Sequence, residues 1–263
     1  MNKIAALALF FAACRSTMPD LQTELERIDT ALRTKHGIDA NQVDVGVMDL
    51  RTRKVAMIHP DQIEYAASVA KVGILYAWFV KHPDATANHD LGLMIKASSN
   101  EMATKFSREI GLQEIQRILN ENGFYDASKG GGIWVGKHYG PNSERIGDPV
   151  ANHSHAVTVR QLIRFYDLLD QRKLVSREAS EQMREVFRSP DIPHDEHKFV
   201  KGLAGRNLTI LRKWGSYQDW LHDSAIIEGP GRRYILVGLT HTPKGDDYLA
   251  DLAVAVDDLM RPR

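Results

Sequence analysis

The strand-like segments lie near the two ends of this 263-residue chain, and their position constrains the fold more than any other feature. Residues 43–48 and 55–58 are rich in apolar and β-branched side chains, and a short polar segment joins them, which predicts a hairpin. Three further strand-like segments follow residue 200, at residues 209–214, 224–228 and 233–241, with Gly229-Pro230-Gly231 as a turn between the last two. If both groups belong to one sheet, the residues between them form an insertion between its second and third strands.

The middle of the chain has helical patterning instead. From residue 65 to about residue 122 the pattern predicts helix, and residues 66–80 are nearly all apolar, so that helix should be buried on most sides. Residues 126–154 are rich in Gly, Pro, Asn and His and predict a long loop with one strand at residues 132–137. Loops this long inside a compact domain are usually functional or disordered. Apolar stripes at helical spacing predict further helices at 20–35, 158–169, 177–187 and 247–260.

This order of elements predicts an α+β protein. We expect a five-stranded antiparallel sheet flanked by the terminal helices, with an inserted all-helical subdomain. The predicted parts are an export signal at residues 1–13, the two portions of an α/β subdomain at 20–64 and 201–263, and a helical subdomain with an Ω-like loop at 65–200.

Charge and cysteine content exclude several classes of function. Lys plus Arg number 34 and Asp plus Glu number 34, so no basic excess points to nucleic acid. Cys14 is the one cysteine, which excludes an internal disulfide framework and a multi-cysteine zinc site. His194 and His197 have no obvious third partner and stand beside prolines, so they predict a solvated loop rather than a metal site.

The first residues are typical of an export signal. Lys3 precedes an apolar run from Ile4 to Ala13, which is too short to span a bilayer as a mature helix. Ala12-Ala13-Cys14 resembles a bacterial lipobox, in which the cysteine is lipidated and becomes the new N-terminus. We therefore expect an exported, periplasmic protein anchored to the membrane through Cys14; the alternative is a plain secretory signal cleaved nearby.

Ser68-Val69-Ala70-Lys71 is the first segment that could carry chemistry. On a helix, residues three apart share a face, and an amine there can take the serine proton if burial lowers its pKa. The alternative is a cap serine beside a solvated lysine. The apolar neighbours of Lys71 disfavour that alternative, because an unpaired buried lysine is costly.

Two further segments are weak when taken alone. Ser98-Ser99-Asn100 lies between apolar helical segments and by itself is typical of a turn or a helix cap. Lys213-Trp214-Gly215-Ser216 by itself is typical of an edge-strand lysine followed by a turn glycine.

Taken together and in this order, the three segments resemble the Ser-x-x-Lys, Ser-x-Asn and Lys-x-Gly motifs of the penicillin-recognising serine hydrolases, and most of all the class A β-lactamases. Asp148-Pro149-Val150-Ala151-Asn152 has the spacing of the Glu-Pro-x-x-Asn stretch that class A enzymes carry on an Ω-shaped loop. An Asp-Pro turn is the alternative there. The resemblance covers roughly residues 20–260.

The resemblance implies acyl transfer on a β-lactam or a cell-wall peptide, without a cofactor or a metal. The implied roles are a nucleophile (Ser68), a base (Lys71), a proton relay to the leaving nitrogen (Ser98), a ligand of the substrate amide (Asn100), a positive charge for a substrate carboxylate (Lys213), an oxyanion hole from the backbone N–H groups of Ser68 and Ser216 beside Gly215, and an acid that prepares the deacylating water (Asp148, helped by Asn152).

Two departures from the family pattern keep alternatives open. Trp214 stands where the family usually has a hydroxyl residue that helps to bind the substrate carboxylate, and Ser216 is only a partial substitute. Asp148 is one methylene shorter than Glu, which could slow deacylation. From the resemblance, the chain is predicted to be a β-lactamase. The alternatives are a slowly deacylating penicillin-binding or peptidase-like hydrolase, and a non-catalytic binding protein on the same fold.

Overall fold

A computed structural model describes residues 20–262. The predicted export signal and Cys14 lie outside the described residues. Within the described part of the chain, no helix has both the length and the apolar character needed to cross a membrane.

Helices and strands follow one another in the order that the sequence predicts at both ends of the chain. The helices are α1 (Leu21–His36), α2 (Lys71–Lys81), α3 (His89–Ile95), α4 (Asn100–Ile110), α5 (Leu112–Glu121), α6 (Val159–Asp170), α7 (Arg177–Arg188), α8 (Lys198–Gly202) and α9 (Gly245–Met260). The strands are β1 (Val43–Asp49), β2 (Val55–Ile58), β3 (Glu64–Tyr65), β4 (Tyr125–Asp126), β5 (Gly131–Gly132), β6 (Trp134–Val135), β7 (His155–Val157), β8 (Thr209–Tyr217), β9 (Trp220–Gly229) and β10 (Arg232–His241).

The main sheet has five antiparallel strands in the order β2-β1-β10-β9-β8. Strands from the two ends of the chain meet at its centre, where β1 and β10 pair with Val43 opposite Thr240. The predicted α+β fold with one five-stranded antiparallel sheet is therefore confirmed. Strand β8 lies at one edge, so alternate backbone groups along it are not used by a neighbouring strand.

Helices cover each face of the sheet, and the central strands are therefore buried on both sides. On one face, Val45 and Leu236 pack with Leu252 of α9 and with residues of α1. On the other face, Val237 packs with α6 and the helical block. Gly46 allows α6 to approach closely, since a Cβ at this position would lie 2.5 Å from a methyl group of Val159.

The start of the buried helix differs from the sequence prediction. Helix was predicted from residue 65, but Glu64 and Tyr65 form strand β3, which pairs with β7, and the chain then turns before α2 begins at Lys71. Ala67, within the turn, has φ +45°, which an α-helix does not allow. An all-apolar run shows that a segment is buried, but it has no period that shows where the helix begins.

The predicted strand at residues 132–137 is likewise divided. Gly131 and Gly132 pair with β4, whereas Trp134 and Val135 pair with β7. Gly132 has φ +150°, and a Cβ there would lie 2.1 Å from the carbonyl oxygen of Phe124. The glycines thus turn the chain from one small sheet into the next and bring the following loop towards the start of α2.

Candidate active site

Lys71 lies at the centre of the candidate site, and its side chain is fully buried. Its Nζ donates to Ser98 O at 2.6 Å, to Ser98 Oγ at 3.2 Å and to Asn100 Oδ1 at 2.7 Å. The same ammonium lies 4.5 Å from the ring centroid of Tyr139. The structure therefore joins the first two motifs of the sequence around one amine.

Two opposing influences act on the protonation of this amine. The three acceptors and the ring face favour the charged form, whereas removal from water disfavours it. Burial dominates and lowers the pKa of Lys71 to about 7. A lysine with this pKa is neutral in about half of the molecules at neutral pH, so it can accept a proton there.

Ser68 lies in the turn just before α2, where its carbonyl accepts from the backbone N–H of Lys71 at 3.2 Å. Its side chain is half-buried, so a ligand can reach it. The residue before it, Ala67, holds the left-handed conformation described above, and strain of this kind clusters at functional sites. Within residues 20–262, the hydrogen bonds of Lys71 Nζ go to Ser98 and Asn100, not to Ser68 Oγ.

Gly215 of the edge strand β8 lies against the Ser68 turn. A Cβ at this position would lie 2.9 Å from Ser68 N and 3.0 Å from both Ala66 O and Val69 N. Only glycine allows this approach of backbone to backbone. The third motif thus brings the edge strand β8 beside the backbone N–H of Ser68.

The Ser98 segment owes its position to the start of α4. Ser99 caps that helix by accepting from Met102 N at 3.2 Å, and Asn100 is its first residue. Ser98 has φ +59°, a turn conformation that directs both its carbonyl and its hydroxyl towards Lys71. The helix cap expected from the sequence is therefore present, and it holds the polar groups of Ser98 and Asn100 beside Lys71.

Lys213 is fully buried beneath this site, and its Nζ donates to Trp214 O at 2.7 Å. Burial, with the charge of Lys71 as the next cause, holds the pKa of Lys213 well below its usual range. The Trp214 side chain reaches across to donate to Lys96 O at 3.3 Å. The indole ring thus occupies the place in the motif where the family usually carries a hydroxyl.

Lys198 is a site residue that the sequence reasoning missed. It is buried, it has φ +54°, and its Nζ donates to Ser216 Oγ at 2.7 Å. It also lies 5.3 Å from the Trp214 ring centroid and 3.3 Å from a carboxylate oxygen of Asp246. Two lysines, Lys198 and Lys213, therefore contact the Trp214 ring, and one of them is hydrogen-bonded to the hydroxyl of Ser216.

Asp148 is buried, and its hydrogen bonds stay within its own part of the fold. One carboxylate oxygen accepts from Tyr125 Oη at 3.1 Å, Val150 N at 2.9 Å and Ala151 N at 3.0 Å. The other accepts from His153 N at 2.5 Å. No hydrogen bond or ion pair among the described residues joins Asp148 to Ser68 or Lys71, so its carboxylate organises the loop.

Asn152 likewise faces the loop. It has φ +57°, and its side-chain oxygen accepts from Arg145 at 3.3 Å. The structure therefore brings Lys71, Ser98 and Asn100 together and places Gly215 against Ser68. It does not bring Asp148 and Asn152 to that group by any direct contact. Within residues 20–262, no cluster of three or more His, Cys, Asp or Glu could hold a metal ion.

Comparisons with known proteins agree with the fold. The model of the beta-lactamase enzyme family matches residues 80–256, which is more than half of the chain. The comparison with curated protein sequences gave no match. The match to the family model begins after the Ser68–Lys71 segment, so that segment is supported by its geometry alone.

Solved structures with this fold include β-lactamases and a penicillin-binding protein. A β-lactamase from Sphaerobacter thermophilus is similar with a TM-score of 0.71 and 14% identity, over 90% of this chain and 97% of the other. The protein PBP-A gives a TM-score of 0.68 and 17% identity over 92% and 98% of the two chains. A class A β-lactamase from Mycobacterium abscessus gives a TM-score of 0.67 and 14% identity, over 90% of this chain and 98% of the other. On the extent of the family match and on this fold, the chain belongs to the beta-lactamase enzyme family.

Proposed function

We propose that this protein is a serine hydrolase that β-lactams acylate at Ser68, and that it releases the acyl group slowly. The observation that carries the proposal is the buried Lys71, with a pKa of about 7, in contact with Ser98 and Asn100. The family match and the β-lactamase fold support the same chemistry.

In the proposed acylation, Ser68 Oγ attacks the lactam carbonyl carbon while its proton passes to the neutral amine of Lys71. The backbone N–H groups of Ser68 and of Ser216 on β8 stabilise the negative charge that develops on the carbonyl oxygen. The C–N bond of the lactam then breaks, and the proton reaches the leaving nitrogen through Ser98 Oγ, which is 3.2 Å from Lys71 Nζ. The product is an ester between Ser68 and the opened lactam.

Slow release follows from the position of Asp148. Hydrolysis of the ester needs a base that activates water beside Ser68. Among the described residues, both oxygens of Asp148 are hydrogen-bonded to its own loop and to Tyr125 and neither to Ser68 or Lys71, so the carboxylate holds the loop rather than facing the ester. A point mutant of PBP-A, similar to this chain with a TM-score of 0.65 and 16% identity, has been solved as an acyl-enzyme complex with penicillin G.

Intact-mass analysis after incubation with benzylpenicillin tests the proposal. We expect a mass increase of one penicillin per chain that persists after free penicillin is removed. Ser68→Ala should give no adduct, and Ser128→Ala, which removes an exposed serine hydroxyl, should react like the unaltered protein.

Two outcomes would contradict parts of the proposal. A folded protein that forms no adduct would support the non-catalytic alternative. Rapid turnover of a chromogenic cephalosporin, with no adduct accumulating, would contradict slow release and support a β-lactamase.

The proposal includes export and anchoring, since Cys14 and the apolar segment before it are typical of a bacterial lipoprotein. Growth of an expressing bacterium with an alkyne-tagged fatty acid should label the full chain. The Cys14→Ser variant should remain unlabelled, and equal labelling of both would overturn this part.

A further inference from the structure

A cavity of about 510 Å³ lies beside the candidate active site, on the loop side of Tyr139. The Tyr139 ring joins the two: Lys71 Nζ lies 4.5 Å from its centroid, and the ring of His155 stacks on it at 4.3 Å and 4°. The Tyr139 hydroxyl donates to Ala67 O at 3.0 Å, next to Ser68. A ligand in the cavity therefore lies within reach of the reacting serine.

The strand geometry supports this proximity. Tyr217, which lines the cavity, is two residues beyond Gly215 on β8, so both side-chain positions lie on the same side of the strand. Two residues of a strand span about 7 Å, which is the length of a small acyl side chain. The cavity thus begins about that far from the point where β8 meets Ser68.

Aromatic rings form much of the wall. Tyr65 is central, with ring centroids 5.4 Å from Tyr217, 6.0 Å from Trp220 and 6.0 Å from His153. Faces and edges of this kind bind a flat ring in stacked or edge-on arrangements. An aliphatic side chain would gain only its apolar contact area.

The charges of the wall are positive. Lys137 and Arg145 line the cavity, and none of the lining residues is an Asp or a Glu. Arg145 already donates to the side chain and carbonyl of Asn152. None of the ion pairs among residues 20–262 includes Lys137. The carboxylates that act on histidines of the wall are Glu144, which raises the pKa of His138, and Asp148, which raises that of His153, each against the larger effect of burial.

A buried polar atom also lacks a partner at this wall. His155 is 3% exposed, and its Nδ1 has no hydrogen-bond partner among the described residues. Burial, helped by the charges of Lys71 and Lys137, lowers the pKa of His155 to about 3, so the ring is neutral under ordinary conditions. A neutral imidazole with a free nitrogen can donate to or accept from a polar ligand.

We propose that this cavity binds the acyl side chain of the substrate, and that it selects a planar ring with a carboxylate on or next to the ring. The ring packs among Tyr65, Tyr217 and Trp220, and the carboxylate pairs with Lys137. This inference rests on the proposed function, because it places the remainder of the acyl group that Ser68 accepts.

Binding of two small acids tests the cavity without any reaction. Phenylmalonate and phenylacetate differ by one carboxylate, and calorimetry should show phenylmalonate binding at least about fivefold more tightly. Lys137→Met should abolish the difference, whereas Lys137→Arg should keep it. The control Lys173→Met, an exposed lysine between α6 and α7, should also keep it. Equal binding of the two acids, or a difference unchanged in Lys137→Met, would overturn the inference.

Acylation by a matched pair of penicillins separates this inference from the proposed function. Benzylpenicillin and α-carboxybenzylpenicillin carry the side chains of phenylacetate and phenylmalonate, respectively. We expect α-carboxybenzylpenicillin to acylate Ser68 faster than benzylpenicillin does. In Lys137→Met the two acylation rates should become equal. If both react at one rate in every variant, the cavity proposal fails and the proposed function stands. If neither reacts, the proposed function fails, and phenylmalonate binding still decides the cavity. Thermal unfolding of each variant shows that it is folded.

Discussion

Lys71 is a lysine whose surroundings convert it from a permanent charge into a titrating group. Because its pKa is about 7, the fraction of neutral amine rises from about a tenth at pH 6 to about nine tenths at pH 8. We expect the rate of acylation by benzylpenicillin to rise about tenfold over this range, measured by intact mass at short times.

Lys71→Arg should remove this pH dependence and most of the rate, because a guanidinium stays charged at every accessible pH. A rate that rises equally in Lys71→Arg would assign the titration to another group.

Lys198 acts, in our interpretation, by positioning the hydroxyl of Ser216. The ammonium donates to Ser216 Oγ, so the hydroxyl proton is free to point outwards to a substrate carboxylate. Lys198→Met should lower the second-order rate constant of acylation by benzylpenicillin about tenfold and leave that of acylation by its methyl ester nearly unchanged.

Lys201→Met is the matched control, since Lys201 lies on the same helix and pairs with Asp247 but is exposed. An equal fall in the acylation rate constant for the acid and the ester would show that Lys198 is only structural.

At the scale of elements, the approach of β8 to the start of α2 depends on Gly215. The Cβ of Gly215→Ala would meet three backbone atoms at about 3 Å, and backbone cannot move aside as a flexible side chain can. We expect acylation to slow by at least about a hundredfold, because a shift near 1 Å at a reacting centre has that effect. Gly205→Ala is the control away from the site: no atom lies near the added Cβ, and its only strain is local, from the φ of +75°, so acylation should stay unchanged.

The loop between β6 and β7 depends on one buried carboxylate. Asp148→Ala would leave the backbone N–H groups of Val150, Ala151 and His153 without their acceptor. We expect a loss of about 2–4 kcal/mol in the free energy of unfolding, measured by urea denaturation. The rate of acyl release should change little, in contrast to the loss expected if Asp148 activated water.

Asp126→Ala is a control for this loop prediction, since Asp126 also accepts hydrogen bonds from nearby residues but is partly exposed. A loss of stability in Asp126→Ala as large as in Asp148→Ala would contradict the interpretation.

At the scale of the whole molecule, a buried pair of acids links stability to pH. Asp44 on β1 is 1% exposed, and burial together with the neighbouring Glu64 raises its pKa to about 9. In the unfolded chain this carboxyl loses its proton near pH 4, so between these values the folded state holds one proton more. The stability that this group contributes is therefore complete below about pH 4 and is lost as the pH rises towards 9.

Asp44→Asn should remove that pH dependence, because the amide does not titrate. Its free energy of unfolding should improve relative to the unaltered protein as pH rises from 5 to 8, by at most about 1.4 kcal/mol per pH unit. Urea denaturation at several pH values measures this. Asp84→Asn, in an exposed turn, should show a constant difference, and a constant difference for Asp44→Asn would refute the assignment.

Much of this architecture could be predicted because the main strands are short segments rich in apolar and β-branched residues and the terminal helices carry an apolar stripe. The fold class followed from segments such as β1 and β10, which are buried along nearly their whole length, and α9, whose buried residues recur at helical spacing. Strands β3 and β7 have only two and three residues, and their pairing joins residues about 90 positions apart. No local pattern records such a contact.

The site could be predicted only where a short motif places its residues close together in the sequence. Ser98 and Asn100 are two positions apart, and their motif predicted that they would lie at one site. Lys198 approaches Ser216 only because α8 folds back on β8, and the sequence around it shows a lysine among polar and apolar neighbours with no motif. The hydrogen bonds of Asp148 could not be anticipated, because Tyr125 comes from another segment.

The pairing of β1 with β10 has a consequence for biosynthesis. Val43 leaves the ribosome almost 200 residues before its partner Thr240, so the centre of the sheet stays open through nearly all of translation. Until β10 emerges, the hairpin of β1 and β2 has an unpaired edge at β1, and the five-stranded sheet cannot form. Because an unpaired strand edge can pair with other chains, we expect a premature stop before β10 to yield a fragment that aggregates rather than a smaller folded protein.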